Sequence, residues 1–251
     1  MNPKLIMCDL DGTLTESKTN MTERMGKVIS KVLEHTFFAV VSGASYKQFE
    51  KQFLPYLSCR TELLSKLYLF PTNGSSCFIF EDGRWKSKYV EKLSGSEIEQ
   101  IMISFDKAIK ASGIDVSFPH GDLIENRGSQ VTFSGRGQRA PLEEKKAWDP
   151  DQTKRQKIVS LLIPLLPDFE VRIGGATSID VTRKGIDKAY AIHKAEQLLN
   201  LLPEQIIFFG DALFLAGNDA TAIKAKVWCM QVNGPTDTEN ELLGIIGEKS
   251  I

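Results

Sequence analysis

The sequence predicts an α/β fold into which a smaller α+β domain is inserted. Strand-like and helix-like patterns alternate at first, consecutive strand-like segments follow the turn signal Pro71-Thr72-Asn73-Gly74, and the alternation resumes at Asp187. Alternating elements are typical of parallel βαβ units, whereas consecutive strands are typical of an antiparallel arrangement. We therefore expect a core built from residues 1–82 and 188–251 and an inserted domain built from residues 83–187.

The first part of the core is predicted from apolar runs that alternate with amphipathic segments. Short apolar runs indicate buried strands, and segments with one apolar face indicate helices that pack on the sheet. The strands are expected at 4–8, 37–41 and 67–70, and the helices at 22–35 and 45–57.

The inserted domain is predicted to contain two helices and several strands. The polar segment 134–153, rich in Arg, Glu, Lys and Gly, is interpreted as a loop. The helices are expected near 96–112 and 151–164, and the strands near 114–118, 122–126, 129–134, 168–173 and 177–182.

The second part of the core returns to the α/β pattern. The apolar run Gln205-Ile206-Ile207-Phe208-Phe209 predicts a buried strand, and Val227-Trp228-Cys229-Met230 predicts another. Helices are expected from Asp187 to about 200 and near 217–225.

Composition and charge exclude several classes of function. The chain has 251 residues, of which 42% are hydrophobic, and a net charge of −1, values typical of a globular protein and not of a disordered or membrane-spanning one. Because basic and acidic residues nearly balance, no overall field attracts nucleic acid or an anionic membrane. The amino-terminal segment is strand-like and has no basic stretch followed by a long apolar run, so we expect a cytoplasmic protein.

The cysteines and histidines have no metal-ligand spacing. Cys8, Cys59, Cys77 and Cys229 are widely separated and lack a Cys-x-x-Cys pair, which favours reduced thiols over disulfides or zinc ligands. The three histidines likewise form no zinc motif.

Two carboxylates follow the first predicted strand. Asp9 and Asp11 lie two residues apart in Asp-Leu-Asp-Gly-Thr-Leu-Thr, directly after an apolar run. Open α/β sheets carry their chemistry at the carboxyl ends of the strands. One carboxylate can act as nucleophile or metal ligand and the other can move a proton, while Gly12-Thr13 forms an amide-rich turn suited to phosphate.

Three further motifs lie where core strands are expected to end or the core resumes. Ser42-Gly43 precedes a helix and suits a phosphoryl oxygen, although a serine there is more often a helix N-cap. Lys188 in Lys184-Gly185-Ile186-Asp187-Lys188 would by itself be a solvated lysine. Gly210-Asp211 and Asn218-Asp219 follow another apolar strand and add carboxylates at the same sheet edge.

Taken in order, these motifs resemble those of the haloacid dehalogenase (HAD) superfamily of phosphotransferases, and specifically its members with a type IIB α+β cap inserted after the third core strand. The resemblance implies a HAD-like Rossmannoid parallel-sheet core. It also implies that Asp9 attacks phosphorus to form an aspartyl-phosphate, and that Asp11 serves as general acid and then as general base.

The same resemblance assigns roles to the remaining core residues. It implies Mg²⁺ held by the Asp9 side chain, the Asp11 carbonyl oxygen and the Asp211 side chain, which would let an anionic nucleophile approach an anionic phosphate. Ser42 and Lys188 would bind the transferring phosphoryl oxygens. Asn218 and Asp219 would support the metal and the lysine.

Within the superfamily the chain is most similar to the eukaryotic-type phosphomannomutases. The similarity lies in the long spacing between Gly210-Asp211 and Asn218-Asp219 and in a series of cap segments. These segments are Ile124-Glu125-Asn126-Arg127-Gly128, Ser134-Gly135-Arg136, Leu142-Glu143-Glu144, Ile173-Gly174-Gly175 and Ser178-Ile179-Asp180-Val181.

The mutase resemblance implies a sugar-phosphate substrate held partly by the cap. Arg127 and Arg136 would bind its distal phosphate, because two guanidiniums suit a dianion, and Ser178 and Asp180 would contact that phosphate or sugar hydroxyls. From the residues alone, these arginines would be solvated and Ser178 and Asp180 would form the polar face of a strand.

Two departures from the mutase pattern favour hydrolysis over isomerisation. Mutases typically carry glycine where this chain has Ser42, and a basic cap residue in the segment where it has His120-Gly121-Asp122. We therefore expect a sugar-phosphate phosphatase, with phosphomannomutase as the alternative and a non-catalytic sugar-phosphate sensor as a distant one. The resemblance also implies closure of the cap over the core on substrate binding and a homodimer through the cap.

Overall fold

The computed structural model describes residues 3–16, 19–215 and 217–248. Its helices and strands in chain order are β1 (Leu5–Asp9), α1 (Glu23–His35), β2 (Phe37–Val41), α2 (Tyr46–Gln52), β3 (Leu67–Phe70), β4 (Ser76–Glu81), β5 (Arg84–Val90), α3 (Gly95–Ser112), β6 (Ile124–Asn126), β7 (Val131–Ser134), α4 (Leu142–Trp148), α5 (Thr153–Leu162), β8 (Phe169–Gly174), β9 (Ser178–Arg183), α6 (Lys188–Leu199), β10 (Ile206–Gly210), β11 (Trp228–Gln231) and α7 (Pro235–Ile245).

The chain divides into two compact units, Met1–Val90 with Asp187–Ile251 and Glu91–Ile186. The first contains a seven-stranded sheet in the order β11-β10-β1-β2-β3-β4-β5, and the second contains a four-stranded sheet in the order β6-β7-β9-β8. The predicted fold class, an α/β core with an inserted α+β domain, is therefore confirmed.

The first sheet is parallel from β11 to β3, and the hairpin β4–β5 adds two antiparallel strands at one edge. The predicted division after residue 82 falls inside this hairpin, because β5 pairs with β4 and lies with the first unit. A tight turn joins the two strands and carries Gly83 at a φ of +73°.

The strand β1 is buried on both faces. Ile6 and Cys8 pack into one apolar cluster, and Leu5 and Met7 pack into a second cluster on the opposite face. A central strand covered on both sides needs an unbroken apolar run, which is why Leu5-Ile6-Met7-Cys8 carries no alternation. The sequence pattern thus predicts an interior strand, and β1 lies between β10 and β2.

The second unit packs its helices on one face of its antiparallel sheet. Ile101 and Phe105 of α3 and Ile158 of α5 are fully buried against Phe133 and Ile179 of the sheet. Phe133 and Trp148 are core residues, and their rings meet edge to face at 6.4 Å. The opposite sheet face carries the polar residues described below.

The structure differs from the sequence-based elements in four places. The predicted strand 114–118 is wrong, since Ile114 and Ser117 donate their amides to the side chains of Ser112 and Asp115 and the next residue, Phe118, has a φ of +53°. The segment 134–153, interpreted as a loop, contains α4. The helix α7 was not predicted, and the helix expected near 217–225 is a short 3-10 segment, Ala220–Ala225.

No helix in the described part of the chain is long and apolar enough to cross a membrane.

Candidate active site

The parallel sheet brings three of the sequence motifs to one edge. Asp9 at the end of β1 lies opposite Val41 at the end of β2, and Cys8 pairs with Phe209 of β10. Carboxyl ends of adjacent parallel strands lie side by side. Asp9, Ser42 and Asp211 therefore start from neighbouring strand ends, although they are far apart in the sequence.

The centre of the site is a buried cation between two carboxylates. The Lys188 ammonium donates to Asp9 Oδ1 at 2.5 Å and also donates to Asp219 Oδ1. The side chains of Lys188, Asp9 and Asp219 are at most 3% exposed. A buried ammonium is costly unless it is paired, so the lysine that the sequence alone would place in solvent is a structural part of this site.

The start of α6 places Lys188. Asp187 is the N-cap of this helix and accepts a hydrogen bond from the Tyr190 amide at 3.0 Å. Lys188 is consequently the first residue of the helix. An aspartate at this position satisfies one of the open amides of the first turn, which fixes the helix start and with it the direction of the lysine.

Asp219 joins the lysine to the loop after β10. Its second oxygen, Oδ2, accepts the Ala212 amide at 2.9 Å. A Cβ at Gly210 would lie only 2.5 Å from this oxygen, so the carboxylate needs a glycine there. Both oxygens of Asp219 therefore accept hydrogen bonds, from Lys188 and from Ala212.

Burial and crowding set the electrostatics of the site. Burial, with smaller contributions from Asp219 and Asp211, raises the pKa of Asp9 against the opposing effect of Lys188. Burial and the charge of Asp219 also raise the pKa of Asp211. Burial lowers the pKa of Lys188, but the charges of Asp219 and Asp9 raise it by more. The pKa of Lys188 is therefore above its ordinary value, and the ammonium stays charged.

The carboxylates fit a divalent cation. One oxygen from each of Asp9, Asp211 and Asp219 lies within 4.8 Å of the others. Among the described residues, no group donates a hydrogen bond to the buried Asp9 Oδ2. Hard oxygen ligands are those that Mg²⁺ prefers. Because the oxygens of Asp219 already accept hydrogen bonds, Asp9 and Asp211 are the better placed ligands of the three.

Asp11 lies in the tight turn that follows β1. The Gly12 amide donates to the Thr15 carbonyl at 2.7 Å, and the Thr13 hydroxyl donates to Asp211 Oδ1 at 3.3 Å. Gly12 has a φ of +91°, and a Cβ on it would lie 2.6 Å from the Asp211 carboxylate. The glycine therefore serves both the turn and the close approach of Asp211.

The Ser42-Gly43 motif forms a turn between β2 and α2. The Ser42 hydroxyl is buried and accepts the Ala44 amide at 3.0 Å. The N-cap residue of α2 is Ser45, so Ser42 is not the helix cap that its position in the sequence suggested. The backbone amide of Asn73, which follows β3, donates to the Ser42 carbonyl at 2.8 Å. This hydrogen bond connects the turn to the end of the next strand. Gly43 lies within the turn.

The segment between Asp211 and Asn218 is exposed at its tip. Phe214 and Leu215 are 54% and 96% exposed, and the Gly217 amide donates to the Phe214 carbonyl at 2.8 Å. Asn218 is half-buried beside Asp219. Ala216 of this segment lies outside the described residues.

In the second unit, Ser178 and Asp180 lie on the polar face of β9 and are buried. Asp180 Oδ1 accepts the Thr132 hydroxyl at 2.8 Å, and Thr132 Oγ1 accepts the Gln130 side-chain amide at 2.8 Å. The predicted polar face of this strand thus contains a hydrogen-bonded row, with Asp180 held in one orientation.

The two cap arginines contact different carboxylates. Arg127 Nε donates to Glu125 at 2.7 Å, while Arg136 donates to Glu144 at 3.2 Å. His120 contacts the same Glu144 oxygen at 3.0 Å. His120 therefore shares a carboxylate partner with Arg136.

Sequence reasoning missed residues that act through backbone geometry. It named Gly210 in the Gly210-Asp211 motif without assigning it the close approach of Asp219, and it did not name Arg155, whose guanidinium is fully buried in the second unit. A glycine directly before an aspartate at a strand end is a usable signal for close approach. An arginine in a polar helix gives no signal of burial.

Comparisons with known proteins identify the family of this chain. Residues 25–248 match the family model described as eukaryotic phosphomannomutase. The phosphomannomutase of Encephalitozoon cuniculi is 30% identical over 244 residues, which cover 93% of this chain and 90% of that protein. The phosphomannomutase of Saccharomyces cerevisiae is 26% identical over 240 residues, which cover 93% and 91%.

Two solved structures share the fold. The IMP-bound, N-terminally truncated IMP-nucleotidase of Plasmodium falciparum superposes with a TM-score of 0.72 at 15% identity, covering 98% of this chain and 68% of that one. A structure described as showing a trigonal-bipyramidal intermediate in a phosphoryl-transfer superfamily gives a TM-score of 0.59 at 15% identity, covering 98% and 99%. At this identity the likeness concerns the fold alone.

Proposed function

Because the chain belongs to the eukaryotic phosphomannomutase family of the HAD superfamily, we propose that it interconverts mannose 6-phosphate and mannose 1-phosphate through a phosphorylated Asp9. The observation that carries this proposal is the buried contact of Lys188 with Asp9 at the carboxyl edge of the parallel sheet. It places a carboxylate nucleophile beside a fixed positive charge, the arrangement that phosphoryl transfer requires.

Each core residue has a role in the proposed reaction. Asp9 attacks phosphorus, and Lys188 both orients the attacking carboxylate through Oδ1 and binds a phosphoryl oxygen. Asp11 donates a proton to the leaving oxygen and later removes one from the incoming hydroxyl. Ser42 and the Gly43 turn bind phosphoryl oxygens, while Asn218 and Asp219 support the lysine and the metal.

The acidic cluster favours Mg²⁺ as the metal. The side chains of Asp9 and Asp211 and the carbonyl oxygen of Asp11 would hold it. When bound, the ion neutralises part of the charge on the carboxylates and on the phosphate, so that the two anions can approach each other. The buried Asp9 Oδ2 accepts no hydrogen bond from the described residues. This unused acceptor supports the proposal that a metal ion binds there.

The distal end of the substrate is proposed to bind to residues of the second unit. Arg127 and Arg136 would hold the phosphate that does not react. Ser178 would contact this phosphate or a sugar hydroxyl. Asp180 is a carboxylate already held by the Thr132 hydroxyl, so it suits a sugar hydroxyl, which donates a hydrogen bond, better than a second anion.

We propose isomerisation rather than hydrolysis, the reverse of the order that the sequence favoured. The relatives compared above are named phosphomannomutase. The two departures that favoured hydrolysis also have local explanations, since the Ser42 hydroxyl accepts the Ala44 amide and His120 contacts Glu144 beside Arg136. Neither contact requires a role in directing water at Asp9.

Phosphorus NMR separates the two reactions. The purified protein is incubated with Mg²⁺ and mannose 1-phosphate, with and without a catalytic amount of hexose 1,6-bisphosphate. We expect mannose 6-phosphate to appear in a bisphosphate-dependent manner without matching release of phosphate. Steady release of phosphate with no isomer would instead establish a phosphatase, and no change at all would favour the sensor alternative.

The variant Asp9→Asn tests the nucleophile in the same assay. It should abolish both isomerisation and phosphate release while the thermal unfolding midpoint stays near or above that of the wild type, because one crowded carboxylate is neutralised. Asp106→Asn, an exposed substitution on α3, is the matched control and should retain full turnover. Undiminished activity of Asp9→Asn would refute the covalent mechanism.

A further inference from the structure

Arg155 is the most deeply buried arginine in the described part of the second unit. It lies in the first turn of α5 and is 2% exposed. Its Nε donates to Asp149 Oδ2 at 2.7 Å, and one terminal nitrogen donates to the Asp149 carbonyl at 3.0 Å. The ion pair with Asp149 neutralises the charge that burial would otherwise make very costly.

The other terminal nitrogen of Arg155 holds the turn between β8 and β9. It donates to the Gly175 carbonyl at 2.6 Å and, at the longer distance of 3.4 Å, to the Gly174 carbonyl. A guanidinium is planar and presents its donors in a fixed fork. Arg155 therefore links the start of α5 to two successive carbonyls of this turn.

This turn leads directly into β9. Gly174 pairs with Ser178 across the β8–β9 ladder, and Thr177 accepts the Gly135 amide at 3.1 Å. A Cβ at Gly174 would lie 3.0 Å from Asp180 Oδ2. The backbone that Arg155 holds thus lies close to the carboxylate of Asp180 and is adjacent in register to Ser178.

We infer that Arg155 is a positioning residue for the sugar phosphate, fixing the β8–β9 turn and through it the side chains of Ser178 and Asp180. The inference rests on the proposed function, which gives those two residues to the substrate. Arg155 itself is fully buried and does not contact the substrate. Its effect is on the affinity for the sugar phosphate and not on the chemistry at Asp9.

The test compares Arg155→Lys with Arg183→Lys. Lysine keeps the charge but cannot donate at the same time to Asp149 and to the turn. Arg183 makes a two-bond ion pair with Glu97 in the same unit, at the far end of β9, and is the matched control. We expect Arg155→Lys to raise the KM for mannose 1-phosphate about ten- to hundredfold with kcat nearly unchanged, and Arg183→Lys to leave both unchanged.

A double variant protects the test against simple unfolding. Arg155→Met with Asp149→Asn removes both charges together. The backbone amides of Lys154 and Arg155 donate to the Asp149 carboxylate, and the asparagine oxygen can still accept one of these two hydrogen bonds. It should show the same selective rise in KM. An unchanged KM in both variants, or a fall in kcat without a rise in KM, would overturn the inference and leave Arg155 a purely structural residue.

A second readout separates this inference from the proposed function. If the wild type shows no turnover, the proposed function fails, and amide NMR shifts on addition of mannose 1-phosphate then decide the inference alone. Shifts at Ser178 and Asp180 in the wild type that are absent in Arg155→Lys would support it. No shifts at these residues in the wild type, or equal shifts in both proteins, would overturn it.

Discussion

The Lys188 ammonium lies 2.5 Å from Asp9 Oδ1, although the two residues are 179 positions apart in the chain. The same ammonium contacts Asp219, and Asp211 has a carboxylate oxygen within 4.8 Å of oxygens from both aspartates. One positive charge therefore faces three carboxylates. The excess of negative charge makes the site suited to a divalent cation.

Lys188→Met should destabilise the protein by about 3–5 kcal/mol at neutral pH, because it leaves buried carboxylates without their partner. It should also reduce turnover by at least about a hundredfold. The pKa of Asp9 is already above its ordinary value, and removal of the ammonium raises it further. A carboxyl with a raised pKa destabilises the fold as pH rises from its unfolded pKa to its folded pKa. The deficit should therefore grow once the pH exceeds the folded pKa of Asp9 in the wild type, where Asp9 is ionised in the wild type and still protonated in the variant.

Urea unfolding without metal at several pH values measures this deficit. Lys188 has a raised pKa and stays charged over the whole pH range. Its titration therefore adds no pH dependence to the free energy of unfolding of the wild type. Lys194→Met is the control, because Lys194 lies on the same helix and packs against the rings of Tyr89 and Tyr190. A deficit that is independent of pH would contradict the proposed origin.

Gly12→Ala should lose both stability and activity. At the φ of +91°, a residue with a Cβ destabilises the fold by about 1–2 kcal/mol relative to glycine. The new Cβ would also collide with the Asp211 carboxylate at 2.6 Å. Gly83→Ala shares the strain, with a φ of +73°, but meets no atom within 4 Å. Calorimetric titration with Mg²⁺ should therefore show weakened binding only for Gly12→Ala. Equal Mg²⁺ affinity in the two variants would show that Asp211 is not displaced.

Ser42→Ala tests whether the hydroxyl decides between isomerisation and hydrolysis. Removing Oγ leaves the buried Ala44 amide without its acceptor, which should cost about 1–3 kcal/mol in unfolding free energy. The ratio of isomer to released phosphate should stay the same, because the hydroxyl serves the turn. Ser30→Ala, a buried serine on α1, is the control. A change in the ratio measured by phosphorus NMR would assign Ser42 a role in directing water.

Glu97→Gln should remove a pH-dependent contribution to the stability of the second unit. The hydrogen bond from Arg183, followed by that from the Ser94 amide, lowers the pKa of Glu97 to about 2. A carboxyl group whose pKa is lower in the folded state stabilises the fold at pH values above its pKa in the unfolded state. This stabilisation is lost as the pH falls toward its pKa in the folded state. For a pair this exposed the contribution is about 1 kcal/mol or less.

The stability difference between wild type and Glu97→Gln should therefore be largest near pH 6 and shrink toward pH 3. Thermal unfolding at each pH measures it, with Glu99→Gln on the exposed side of the same helix as the control. A difference that persists unchanged at pH 3 would show that another interaction of Glu97 is responsible.

Prediction from sequence succeeded where a local pattern has one physical cause. The unbroken apolar run of β1 indicates burial on both faces, and the motifs after β1, β2 and β10 indicate chemistry at strand ends, so the family and the fold class were confirmed. Prediction failed in polar segments. The helix α4 carries a buried Lys145 whose ammonium donates to the Gln138 carbonyl, and no spacing of apolar residues reveals such a helix.

The sequence by itself determined the fold class, the family and the placing of its polar motifs at strand ends, because these depend on short-range pattern and motif spacing. Only the tertiary structure decided which of these residues meet. The parallel register brings Asp9, Asp219 and Lys188 into one buried contact, and a buried charge is stable only beside its partner. The burial of Arg155 against the β8–β9 turn was decided in the same way, because pairing across distant segments is not encoded in local spacing.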